Sequence, residues 1–312
     1  MILAYSGGVG GAKLVSGLAQ VCKPGDLMAV VNTADDFDHL GLRVCPDIDS
    51  VLYALAGLND AERGWGRKDE SWAFHQTLPA WGVDAWFQLG DRDLATHVLR
   101  SHWLRQGASL SEVTARMVQA LGLTLQVVPM SDDPVRTYIV TPEGEIEFQD
   151  YFVRQRCAPV CLAIRLAGAS EARLAAPIVE LAARGEVQAH VICPSNPFVS
   201  IDPLLAVPAL RQILESRRVP CVAVSPIIAG QAVKGPAAKM MAEMGLEVSA
   251  HAVAQHYRGL IDGLVLDVRD AHQAPAIEAL GLRVALEDTL MVDSQSRQRV
   301  ARAALALASA SG

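Results

Sequence analysis

The 312-residue chain has no basic block: its 27 Lys and Arg are scattered among 34 Asp and Glu, leaving a net charge of −7. A surface that tracks nucleic-acid phosphates needs a basic stripe, so nucleic acid is excluded as a partner. No apolar run approaches the roughly 20 residues of a membrane helix. Met1 leads directly into Ile2–Tyr5 and then glycines, with neither the basic start nor the long apolar stretch of a signal peptide. These absences predict a soluble, cytoplasmic protein with no membrane partner. The six cysteines include no CxxC pair and no metal-ligand rhythm, so they read as small buried apolar residues.

What is present is a repeated alternation. Ile2–Tyr5 is a short apolar run, Ser6–Gly11 a glycine turn, and Lys13 to about Cys22 an apolar pattern at helical spacing. Leu27–Val31 is a second strand signal, and Ala85–Leu89, Gln188–Cys193, Val219–Val224 and Gly263–Asp267 are further ones. Strands alternating with helices predict an α/β fold built on a mostly parallel sheet flanked by helices. Two insertions interrupt it: an antiparallel hairpin near 135–150, signalled by Glu143-Gly144 between β-rich runs, and a Trp- and charge-rich helical cap at about 57–84. The whole, 1–312, reads as one domain.

Chemistry concentrates where strands end. Gly7, Gly8, Gly10 and Gly11, followed by Lys13, stand at the first strand–helix turn, where glycines admit a phosphate and a helix N-terminus supplies N–H groups. The spacing is neither a P-loop nor a dinucleotide fingerprint, and the alternative is a tight turn without a ligand. Asn32 to Asp36 ends the second strand, and Pro46-Asp47-Ile48-Asp49 opens a helix. Carboxylates at such a sheet edge can hold Mg²⁺ against phosphate oxygens, while one of Asp47 and Asp49 is expected to cap its helix. Asp91-Arg92-Asp93 with His97 opens another helix, with Asp93 and His97 on one face. Ser195-Asn196, between two prolines, follows another apolar run and reads as a further strand-end loop or a plain turn, and Trp65, between two glycines, is a candidate to stack on a flat ring or close over a site.

Seven segments in register, namely Ser6–Lys13, Val31–Asp36, Cys45–Asp49, Leu89–His97, Met130–Pro134, Pro194–Pro197 and Ser225–Ile228, resemble the 2-phospho-L-lactate transferase family of coenzyme F420 biosynthesis. The resemblance spans almost the whole chain. It implies a Rossmann-like fold, a homodimer and Mg²⁺. It also implies a guanylyl pyrophosphate donor carrying phospholactate, phosphoenolpyruvate or phosphoglycerate. The acceptor would be the ribityl 5′-hydroxyl of the deazaflavin Fo, with GMP as leaving group. On this reading Asp35 and Asp49 hold the metal, the glycine loop and Lys13 hold the donor's phosphates, and Asp49 and Arg92 meet Fo. Asn32, Ser195 and Asn196 complete the binding set.

A sister family of UDP-sugar-binding regulatory proteins shares the glycine loop and a strand-end Ala-Asp-Asp. Here Phe37-Asp38-His39-Leu40-Gly41 and Asp47-Ile48-Asp49-Ser50 depart from that family's pattern. The wrong glycine spacing likewise argues against an NAD-dependent dehydrogenase.

Overall fold

Leu27–Val31 and Gly263–Asp267 are buried at every position, as strands between two helical layers must be. The computed structural model, which describes residues 1–310, gathers seven such strands into one parallel sheet. These are β1 (Ile2–Ser6), β2 (Leu27–Val31), β3 (Gln126–Pro129), β4 (Ala189–Ile192), β5 (Cys221–Val224), β6 (Gly263–Asp267) and β7 (Arg283–Glu287). Their spatial order is β7-β6-β5-β4-β1-β2-β3. Strand order therefore reverses between β1 and β4, and the crevice at the carboxyl ends of these two strands is where open α/β sheets bind ligands.

Side chains alternate across the sheet with period two. Leu3, Tyr5, Met28 and Val30 enter one core, and Ala4, Ala29 and Val31 enter the other. The second core is covered by α1 (Gly8–Val21), α2 (Pro46–Leu55) and the C-terminal helix α4 (Ser294–Ser309). Each large aliphatic side chain sealed in these layers contributes roughly 1.5–3 kcal/mol. Among the described residues no single helix is long and apolar enough to cross a membrane.

The hairpin is present as Arg136–Thr141 paired with Gly144–Glu147, and Ala163–Ala167 adds a third antiparallel strand. Its first strand is tied to the end of β2, because the Thr137 N–H donates to the Ala34 carbonyl at 2.9 Å. Two expectations are corrected. The first helix starts at Gly8, so the glycine turn lies largely inside it. Ala85–Leu89 forms no strand, and the sheet position is taken by Gln126–Pro129. The rings of Trp86 and Phe87 pack instead on Phe37 and His39 from the small hairpin Phe37–Val44, with Phe37 and Phe87 edge-to-face at 4.8 Å.

The cap contains the short helix Ala73–Thr77 and docks by reciprocal capping against α3 (Asp91–Arg105). Glu70 accepts from the backbone N–H groups of Arg92 and Asp93 at 2.7 and 2.8 Å. Asp91 accepts from those of Ala73 and Phe74 at 3.1 and 3.0 Å. Each carboxylate satisfies donors that a helix start leaves free and sits at the positive end of the dipole.

Candidate active site

Pro46 at the first helical position of α2 leaves Asp47 and Asp49 in its opening turns. Residues two apart on a helix do not share a face. The two carboxylates consequently look into different surroundings, and neither caps its own helix.

Asp47 faces the glycine turn. Its Oδ1 accepts the Gly8 N–H at 2.6 Å, capping α1, and its Oδ2 accepts the Asn32 amide at 2.9 Å. Asn32 also donates to the Val199 carbonyl at 3.2 Å. Ser195 Oγ takes the Gly7 N–H at 3.2 Å and donates to the Gly7 carbonyl at 2.7 Å. Gly7, Gly8, Asn32, Asp47 and Ser195 thus form one hydrogen-bonded unit across the β1/β4 reversal. Close packing explains the other glycines: a Cβ on Gly10 would lie 2.4 Å from the Pro194 carbonyl oxygen, and one on Gly11 2.5 Å from Ser195 Oγ. The Gly7 and Gly8 amides expected to bind pyrophosphate are therefore already engaged by the protein.

Asp35 completes this side. Burial, reinforced by the Asp47 carboxylate, pushes its pKa well above the usual carboxylate range. Asp47 is itself raised to about 6 by burial, against the bonds from Asn32 and Gly8. Asp36 reaches about 7, again through burial, with Cys45 and Arg100 pulling it back. Hydrogen bonds from Thr137 and Asn32 oppose the rise at Asp35, while Ser6 Oγ, Thr33 Oγ1 and Asp36 Oδ1 are buried without a hydrogen-bond partner among the described residues. Buried polar atoms left open at one sheet edge are groups awaiting an ion, water or ligand. Among the described residues no three His, Cys, Asp or Glu side chains cluster as a complete metal-ligand set, and Asp35 and Asp47 are the two carboxylates here that could serve a small hard cation.

Asp49 faces α3, whose Asp93, His97 and Arg100 fall on one face at i, i+4 and i+7. Arg100, fully buried, grips Asp49 with both terminal nitrogens: Nη1 donates to Oδ2 at 3.0 Å and Nη2 to Oδ1. His97 stands between the acids, with Nε2 3.3 Å from Asp93 Oδ1 and Nδ1 3.8 Å from Asp49 Oδ2. Tyr53, one turn beyond Asp49, donates to Asp93 at 2.6 Å. Burial opposes ionisation of Asp93, but His97 and Tyr53 hold its carboxyl below the usual range. Asp49, expected to hold the metal, thus has both oxygens engaged by a guanidinium.

Three further residues differ from expectation. Lys13 Nζ donates to the Met291 carbonyl at 2.8 Å on the side of α1 away from the acids. Asn196 accepts the Phe198 N–H at 3.0 Å, capping the turn Pro197–Ile201. Arg92 is exposed at the first turn of α3, where its backbone is held by Glu70 and its guanidinium has no ion-pair partner among the described residues. Sequence reasoning missed Arg100, although its i+7 spacing from Asp93 was visible. It also missed the Phe37–Trp86–Phe87 cluster, whose signal was the Trp-Phe pair just before Leu89-Gly90.

Comparison with known proteins gives a consistent answer. Residues 2–303 match the family model described as 2-phospho-L-lactate transferase CofD. The chain is 41% identical to the phosphoenolpyruvate transferase of Streptomyces griseus, covering 98% of each. It is 38% identical to the 2-phospho-L-lactate transferase of Methanosarcina mazei, over 96% of this chain and 98% of that one. A UPF0052-family structure from Bacillus halodurans shares the fold at a TM-score of 0.63 and 16% identity, over 97% of this chain and 99% of that one. With the family model spanning nearly every residue and relatives of this identity matched end to end, the chain belongs to the 2-phospho-L-lactate transferase CofD family.

Proposed function

We propose that this transferase moves a phospho-carboxylate group (2-phospholactyl, phosphoenolpyruvyl or 3-phosphoglyceryl) from a guanylyl pyrophosphate donor to the ribityl 5′-hydroxyl of Fo. The bond from the hydroxyl oxygen to the phosphorus bearing the acid forms, the pyrophosphate bridge to that phosphorus breaks, the hydroxyl proton is released, and GMP departs. The observation that carries this reading is the buried Asp35–Asp47 pair by the carboxyl ends of β1 and β2, neither member of which has an ion-pair partner among the described residues.

A pyrophosphate could not enter a pocket of buried carboxylates without a counter-charge, because like charges at low dielectric repel strongly. Mg²⁺ meets that need with one or two carboxylates plus substrate oxygens. We assign it to Asp35 and Asp47, whose oxygens keep free lone pairs, in place of Asp35 and Asp49. When bound, the ion would neutralise charge developing on the transferring phosphoryl group.

The protein's own part is positioning. Asn32 and the Gly8 N–H fix the Asp47 carboxylate, and Ser195 fixes the turn at Gly7. Arg100 fixes Asp49, so that any contact of Asp49 with Fo comes from an immobile group. The half-buried rings of Trp86 and Phe87, backed by Phe37, offer stacking area for the flat deazaflavin, and Arg92 is exposed at the start of α3. The cytoplasmic setting and the homodimer implied by the resemblance belong to this same reading.

A mass-spectrometric assay tests it directly. Purified protein is incubated with Fo, Mg²⁺ and each of the three guanylyl donors. The expected result is a phospho-carboxylate adduct of Fo plus GMP from one donor, abolished by EDTA. No adduct from any donor, with binding of UDP-N-acetylglucosamine instead, would sink the proposal.

A further inference from the structure

The three-stranded insertion after β3 is held against the segment that follows β2. A strand that ends leaves its next peptide groups without ladder partners, and buried ones must find them elsewhere. In Thr33–Asp36 they do. The Ala34 N–H donates to the Asn32 side-chain carbonyl at 2.9 Å, and the Asp36 N–H donates to the Thr33 carbonyl at 3.2 Å. Two carbonyls of the segment accept from the insertion. That of Ala34 takes the Thr137 N–H at 2.9 Å, and that of Asp35 takes the Gln149 side-chain amide at 3.2 Å.

Gln149 reaches Asp35 from a firm seat. It is itself buried, at the start of the turn Asp150–Arg154. Phe148 before it and Tyr151 two residues after it are sealed in an apolar cluster with Ile139, Cys161, Val199 and Met240. The Tyr151 hydroxyl accepts from Lys239 at 3.3 Å, and Lys239 also donates to the Pro159 carbonyl at 2.9 Å. The same cluster serves the other acid. Val199 packs its side chain there while its carbonyl accepts the Asn32 amide, which donates as well to Asp47. One apolar body thus stands behind both carboxylates, through Gln149 to Asp35 and through Asn32 to Asp47.

We propose that Gln149 is a positioning residue for the transfer reaction. Its side chain holds the Asp35 peptide, so the carboxylate meets an incoming ion with only its own side-chain torsions left to adjust. The proposal rests on the metal reading above, because Asp35 enters the reaction there as a ligand of the ion. Partners that orient a metal ligand typically change affinity by about 10–100-fold when removed. Gln149 acts one step further back, through the backbone, so the expected loss lies at the low end of that range. A purely structural role explains the bond less well. Gln149 makes no side-chain cap for the turn that it opens, and Phe148 and Tyr151 supply the apolar area there.

The test compares the full chain as wild type, Gln149→Met, Ile139→Val and Asp35→Asn. It reads Mn²⁺ affinity by electron paramagnetic resonance, melting temperature, and turnover with Fo and whichever of the three donors the wild type uses. Gln149→Met keeps the length of the side chain and removes the donor group. Ile139→Val loosens the same cluster and leaves the bonds to Ala34 and Asp35 in place. Gln149→Met should weaken Mn²⁺ about tenfold and lower kcat by a similar factor, with KM for Fo within about twofold. Ile139→Val should leave Mn²⁺ affinity and kcat within about twofold, whatever its loss of melting temperature. Gln149→Asn, one methylene shorter, guards against a folding defect in Gln149→Met and should weaken Mn²⁺ severalfold. Mn²⁺ affinity or kcat near normal in Gln149→Met, or an equal loss in Ile139→Val, overturns the proposal; the metal reading stands in that case if Asp35→Asn still loses the ion. No Mn²⁺ bound by the wild type, or equal binding by Asp35→Asn, removes the metal reading and the proposal with it.

Discussion

Asp47 and Asp49 sit on the same helix turn, are equally buried, and are treated in opposite ways. Asp49 meets a fully buried arginine that matches it bidentately, whereas Asp47 meets a backbone amide, an asparagine and, through the Asp35 interaction, another carboxylate. One acid is structurally complete and the other is left short of positive charge. The lesson is that burial alone does not distinguish two acids; the partners each one meets do. A binding site spends stability that a structural ion pair conserves.

Four changes set these two sides against each other. The largest effect is expected on the compensated side: Arg100→Ala strands Asp49 as a lone buried charge and should cost about 3–5 kcal/mol, read by urea denaturation. On the open side, Asp35→Asn should leave the melting temperature unchanged or raise it, since it relieves like-charge repulsion. The same change should reduce turnover roughly a hundredfold, about 2.7 kcal/mol of transition-state stabilisation. A fall in stability with normal turnover would invert the comparison. Gly10→Ala probes whether the glycines serve packing, because its Cβ would press on the Pro194 carbonyl. A loss of about 1–3 kcal/mol is expected, measured by thermal unfolding without ligand. The smallest effect should come from Glu70→Gln, which weakens the cap's hold on α3 by about 1 kcal/mol or less. Hydrogen exchange in residues 57–84 should rise while the central sheet stays protected.

Much of this was legible in the sequence, and the failures have physical causes. Strand-end polar residues located the crevice, because a parallel sheet exposes its chemistry only at strand ends. Asp47 and Asp49 were visible as a pair, but which of them faced the glycine turn depends on how α2 is rotated against its neighbours. The partners that decide the matter, Gly8 and Arg100, lie 39 and 51 residues away. The glycine cluster read as a phosphate cradle because sequence shows the missing side chains but not the Pro194 carbonyl that requires their absence at Gly10. Ala85–Leu89 has a strand's composition, yet its aromatic rings gain more by packing on Phe37 than by extending the sheet edge. Lys13 stands beside the turn in sequence, but its ammonium donates to the Met291 carbonyl, a partner 278 residues away that sequence does not show.

The most direct test of the central claim is Mn²⁺ binding, followed by electron paramagnetic resonance with saturating GDP, in wild type, Asp35→Asn, Asp47→Asn and Asp49→Asn below the melting temperature of each. One bound ion in the wild type, weakened at least tenfold by Asp35→Asn and Asp47→Asn and within about threefold of normal in Asp49→Asn, is the predicted result. Retention of the ion in Asp35→Asn and Asp47→Asn with its loss in Asp49→Asn would contradict the account.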